Sequence, residues 1–180
     1  MSYKYIRTYT GKEFYPMDPQ PEAIDIRDIA HALSMVCRGN GHVNRFFSVA
    51  QHCINCAMEA EARGHSQRVI LACLIHDASE AYMSDVPRPF KQFLGEYLAQ
   101  EEKLLEVVYG KFLGSPLTEE EQKILKQIDD DMLYFDLREL LNEPQNGPEP
   151  EVHIEINYDF TPFEEVEKKY LDLYEKWKVL

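Results

Sequence analysis

A chain of 180 residues can bury a sizeable core without disulfide staples, and its length fits a single domain over residues 1–180. With 19 Lys and Arg against 32 Asp and Glu, the formal net charge of -13 argues against a nucleic-acid polymer as partner, since such binding leans on basic surface. No apolar run approaches the roughly 20 residues needed to cross a bilayer, and Met1-Ser2-Tyr3-Lys4-Tyr5 lacks the apolar core of a signal peptide, so the cytoplasm is the expected compartment.

Residues 3–16 are rich in tyrosine and β-branched side chains around Gly11-Lys12, which predicts a short hairpin. After a proline-rich loop, Asp25 reads as the N-cap of a helix to about Cys37, with Ile26, Ile29, Ala30, Leu33 and Val36 on one stripe. Arg38-Gly39-Asn40-Gly41 ends it in a loop. Ser48 caps a second helix to about Arg63, whose inward stripe is Val49, His52, Cys53, Cys56, Ala57 and Ala60. Cys53 and Cys56 form a C-x-x-C with no second such pair. Like Cys37 and Cys73 they are most simply small packed hydrophobes in a reducing compartment.

Gly64 closes that helix and Ser66 caps the next, which is apolar on every face from Val69 to Ile75 and so belongs at the centre. It ends in His76, Asp77 and Glu80, groups costly to bury unless they bind something. At spacings of i, i+3 and i, i+4 they can face one cavity, and a divalent cation is the natural guest. Residues 84–91, with Pro87 and Pro89, form a rigid loop leaving that cavity.

An amphipathic helix over residues 90–113 follows. Thr118-Glu119-Glu120-Glu121 is then a capping box opening a helix to about Leu141. Its stripe of Ile124, Leu125, Ile128, Met132 and Leu133 brings Asp129 closer to the core than its rival Asp130. A turn-rich loop leads to residues 151–157, which alternate like one short strand. Thr161, Pro162 and Glu164 suggest a capping box with proline at N1 for a last helix, carrying Phe163, Val166, Tyr170, Leu173 and Trp177 inward. The fold class is therefore mainly all-α, about six main helices with a minor N-terminal β-hairpin.

Together, His52, His76, Asp77 and Asp129 offer two nitrogens and two oxygens from three helices. Such a set can hold a first-row dication and leave positions open for water and substrate. Glu80, one turn on, can orient water or relay a proton, while Arg38, Arg45, Arg88 and Lys91 lie beside these segments and can clamp phosphate.

The chain resembles the HD-domain metal-dependent phosphohydrolases, and within them the small nucleotidases acting on deoxynucleoside 5'-monophosphates. The resemblance is carried by residues 25–34 and 38–41, Phe47-Ser48-Val49-Ala50-Gln51-His52, His76-Asp77-Ala78-Ser79-Glu80-Ala81-Tyr82, residues 85–91 and Lys126-Gln127-Ile128-Asp129. It implies an HD-domain helical bundle, one divalent metal (Mn, Co, Mg, Ni, Fe or Zn) held by His52, His76, Asp77 and Asp129, proton handling by Glu80 and Asp85, and Arg38 near the phosphate. The loop departs from that pattern in having Gly39 where an aromatic would follow the arginine. The expected partner is a small phosphorylated substrate, most simply a nucleotide, and the sequence leaves a homodimer open. Two other readings remain: a triphosphohydrolase on the same scaffold, and a non-catalytic metal-binding module, against which the extra acid Glu80 argues.

Overall fold

A computed structural model describes residues 4–179. Met1 to Tyr3, within the segment read as lacking a leader, lie outside it. The described chain is mostly helical, with a two-stranded antiparallel hairpin of β1 (Ile6–Arg7) and β2 (Glu13–Phe14) near its start. Six longer helices follow: α1 (Ile26–Met35), α2 (Val49–Ala62), α3 (Gln67–Ile75), α6 (Gly95–Leu113), α7 (Glu119–Leu141) and α8 (Phe163–Trp177). Single turns α4 (Glu80–Met83) and α5 (Arg88–Lys91) lie between α3 and α6. None of the described helices is long and apolar enough to cross a membrane.

Most termini are set by the capping residues read from sequence. Asp25 accepts from the Arg27 amide, Ser66 from that of Val69, and Ser48 and Thr118 form reciprocal capping boxes with Gln51 and Glu121. The last helix differs. Thr161 turns its hydroxyl back to the Asp159 carbonyl, and Pro162 occupies the N-cap rather than N1, so no capping box forms.

Helix α3 is the centre of the packing: every residue from Val69 to Ile75 is buried, and α2, α6, α7 and α8 all lie against it. Its end at Ile75, before His76, Asp77 and Glu80, has a local cause. The His76 ring nitrogen Nδ1 takes the Cys73 carbonyl at 2.8 Å, the acceptor that the next helical amide would use. The backbone then tightens into i to i-3 bonds, Ala78 to Ile75 and Glu80 to Asp77. The helix expected over residues 90–113 is likewise divided, α5 forming one turn inside the segment read as a loop, before α6 begins at Gly95.

Residues 151–157 do not form a strand. Val152, Ile154 and Ile156 pack on the core and the residues between them face out, so the alternation is real, but no neighbouring strand completes a ladder. The buried Glu59 carboxylate instead anchors the segment, accepting from the His153 amide at 2.9 Å.

Candidate metal centre

Three elements bring the candidate ligands together: His52 from α2, His76 and Asp77 from the turn after α3, and Asp129 from α7. His52 Nε2 lies 3.1 Å from Asp129 Oδ1, and His76 Nε2 lies 3.2 Å from Asp77 Oδ2 and 3.7 Å from Asp129 Oδ1. The two imidazole centroids are 5.3 Å apart. Ligands at about 2.1 Å from one ion stand roughly 3.0 Å apart at right angles and 3.4 Å apart at tetrahedral angles. The 3.1 and 3.2 Å separations match such edges, and the 3.7 Å separation is slightly wider.

The second nitrogen of each ring decides what the first can do. His76 Nδ1 faces a carbonyl, which only accepts, so Nδ1 carries the hydrogen. His52 Nδ1 faces Asp136 Oδ2 at 2.9 Å and donates in the same way. Both Nε2 atoms are therefore lone pairs in the neutral rings, each turned toward carboxylate oxygen. That is acceptor against acceptor, which requires a proton or a cation between them. His76 Nε2 is buried with no hydrogen-bond partner among the described residues.

The electrostatics point the same way. Burial and Arg38 work against charge on His52, but Cys56, Asp129 and Asp136 outweigh them and raise its pKa well above the usual value. Burial also opposes charge on His76, yet Asp77, Cys53 and Asp129 raise it likewise. Burial opposes the Asp129 and Asp77 charges too, but the imidazoles hold both carboxyls far below the usual range. The pocket thus favours positive charge between these carboxylates, and its donor set fits a divalent cation.

The two acids beside the ligands differ in setting. Glu80 is buried, and burial together with the Asp77 and Asp85 carboxylates pushes its carboxyl up to about 9. Its Oε2 has no partner among the described residues. Asp85 accepts from the Gly39 amide at 3.2 Å, which joins the loop after α4 to the loop after α1. Ser84, just before it, has φ 72° and ψ 157°, a conformation that costs a non-glycine residue energy and aims the following residue.

Of the expected phosphate clamps, Arg38 is largely buried between Asp77 at 3.7 Å and Asp136 at 3.5 Å. Arg88 is 57% exposed and bridges Asp129 at 2.8 Å and Asp130 at 3.2 Å. Lys91 is engaged elsewhere, with Glu101 at 2.6 Å, and Arg45 is exposed and bonds its neighbour Asn44. Asp130 is 44% exposed and pairs with Lys126 and Arg88, whereas Asp129 is 15% exposed and faces both histidines.

Two features escaped the reading of the sequence. Asp136, seven residues after Asp129 on the same face of α7, orients His52 and accepts from Tyr158 at 3.0 Å. The i, i+7 spacing of the two acids was its available signal. Cys53 and Cys56 were read as packing, yet Cys56 falls in one donor group with His52 and His76, and Cys53 in another with His76 and Asp77. A groove of about 990 Å³ between α6 and α7 reaches Asp130 at the edge of the site, and with Glu101, Glu102, Glu106 and Glu119 outnumbering Lys123 and Lys126 in its lining it is a poor host for phosphate.

No family model matches this chain. The chain is similar to the uncharacterized protein YfdR of Escherichia coli K12, with 40% identity over 108 residues, 60% of this chain and 58% of that protein. An uncharacterized Rhodobacter capsulatus protein is 36% identical over 112 residues, 59% of this chain and 57% of its own. The 5'-deoxynucleotidase YfbR of Escherichia coli O1:K1 is 31% identical over 100 residues, 49% of this chain and 50% of that enzyme. The matches therefore span little more than half the length of these relatives.

Proposed function

We propose that the protein is a metal-dependent phosphohydrolase of the HD-domain type that converts (deoxy)nucleoside 5'-monophosphates to nucleoside and inorganic phosphate in the cytoplasm. One observation carries the reading: two buried imidazoles, each with Nδ1 committed as a donor, turn their Nε2 lone pairs onto Asp77 and Asp129. The likeness to a protein named 5'-deoxynucleotidase supports the substrate class.

In this reading His52, His76, Asp77 and Asp129 hold one divalent cation, which supplies Lewis acidity, easing the deprotonation of water and neutralising phosphoryl charge. The chain's own groups do the rest. Arg88 exchanges its carboxylate partners for phosphoryl oxygens at the solvent edge, and Arg38 steadies the inner side. Glu80, protonated and without a competing partner, donates to the leaving 5'-oxygen as the P–O bond breaks and water oxygen bonds to phosphorus. Asp85, fixed by the Gly39 amide, accepts a proton from the attacking water.

The test is turnover by the metal-reconstituted protein on mono-, di- and triphosphates of nucleosides and deoxynucleosides, across Mn, Co, Mg, Ni, Fe and Zn. Release of inorganic phosphate from monophosphates is expected. Release of tripolyphosphate from triphosphates, with monophosphates untouched, would replace this reading with a triphosphohydrolase; no turnover with metal retained would replace it with a binding module.

A further inference from the structure

Cys56 follows His52 by one turn of α2, so the two side chains leave the helix on the same side. Its Sγ lies 3.5 Å from His52 Nε2, the nitrogen that Asp136 leaves free, and shares a span of 4.8 Å with the ligand atoms of His52 and His76. A nitrogen at about 2.1 Å and a sulfur at about 2.3 Å from one ion stand roughly 3.1 to 3.6 Å apart between right-angle and tetrahedral geometries. The observed distance falls inside that window. His76 Nε2, buried and unpartnered among the described residues, points into the same space.

We propose that Cys56 Sγ is a further ligand of the cation held by His52 and His76, so that the centre prefers a thiophilic dication (zinc, cobalt or ferrous iron) to magnesium or manganese. This rests on the metal-centre part of the proposed function. Thiolate is a soft donor, and adding one to an imidazole and carboxylate set moves selectivity toward those ions. Coordination breaks the S–H bond, leaves its electron pair with the metal–sulfur bond and releases the proton to solvent, with no change of oxidation state.

The experiment is anaerobic titration of the full-length, reduced protein with cobalt(II), followed by absorption. Thiolate ligation predicts a near-ultraviolet sulfur-to-cobalt charge-transfer band beside the visible ligand-field bands. In Cys56→Ser, nearly isosteric, the near-ultraviolet band should disappear while the visible bands persist, and zinc affinity should fall by about tenfold or more while manganese affinity stays within about twofold. Cys73→Ser, a buried cysteine outside both donor groups, should keep every band. The wild-type spectrum needs no variant: cobalt bound without the charge-transfer band overturns the proposal and leaves the metal centre standing. A band that survives Cys56→Ser but vanishes in Cys53→Ser overturns the assignment to Cys56. Absence of any cobalt binding overturns the metal centre as well.

Discussion

Asp136→Asn isolates the orientation of His52 from the ligands themselves. Asp136 is 5% exposed; its Oδ2 accepts from His52 Nδ1 at 2.9 Å and faces Arg38 at 3.5 Å, while Oδ1 accepts from the Tyr158 hydroxyl at 3.0 Å. Asparagine keeps the shape. With its carbonyl oxygen on the His52 side, its amide NH2 meets the Tyr158 hydroxyl, which can rotate to accept. Arg38 retains Asp77 at 3.7 Å. The fold should therefore survive with a loss of about 1 to 2 kcal/mol. What goes is the carboxylate that fixes the His52 tautomer and raises its basicity, and outer carboxylates of this kind are worth about 10- to 100-fold in metal affinity, or about 1.4 to 2.7 kcal/mol. Competition titration of the purified variant against a metallochromic chelator measures this, with a thermal melt as the folding control. An affinity within about twofold of the parent, in a folded variant, would refute the role given to Asp136.

Other consequences are separable. Glu80→Gln should keep metal affinity yet lower turnover by on the order of 100-fold or more, and unchanged turnover would remove Glu80 from the proton path. Asp129→Asn should abolish metal retention whereas Asp130→Asn should change it by less than about threefold, because Asp130 sits on the exposed side of α7 and pairs with Lys126 and Arg88; equal losses would contradict the phase of the helix. Asp25→Ala removes the α1 cap and should cost about 1 kcal/mol. Hydrogen bonds from Arg27, helped by Lys12, hold the Asp25 carboxyl well below the usual carboxylate range despite its partial burial. A depressed folded-state pKa means that this stabilisation is fully present above about pH 4 and fades as pH falls below it, so the stability difference between parent and variant should shrink in acid; a difference independent of pH would argue against the ionised cap. Ser84→Gly relieves a left-handed backbone and should stabilise by about 1 kcal/mol, or about 2 to 4 °C in melting temperature; a lowered melting temperature would refute the strain.

Helix positions were legible wherever a stripe and a cap coincided, as at Asp25, Ser48, Ser66 and Thr118. They were less legible where a side chain competes with the backbone. Nothing in the periodicity of Val69 to Ile75 announces that His76 will take the Cys73 carbonyl and end α3 at Ile75, because that bond depends on the ring's rotamer. Residues 151–157 show the complementary case: a two-residue period records which side is buried, while a strand also needs a neighbour, and the Glu59 carboxylate serves as anchor instead. The candidate ligands could be gathered from sequence because His52 and Asp129 lie on helix faces beside the core and His76-Asp77 end an all-apolar helix. Asp136 was signalled only by its i, i+7 spacing from Asp129, and Cys56 could not be told from a cysteine that merely packs. Arg38 and Lys91 were visible as cations, but their carboxylate partners, Asp136 and Glu101, come from distant parts of the chain.

The central claim is that one divalent cation sits between α2, the turn after α3, and α7, and the most direct measurement is anomalous diffraction at the metal edge from crystals grown with cobalt or manganese. A single strong peak is expected at about 2.0 to 2.3 Å from His52 Nε2, His76 Nε2 and oxygens of Asp77 and Asp129. A peak bound elsewhere, or one that leaves out either histidine while metal-dependent turnover persists, would contradict it.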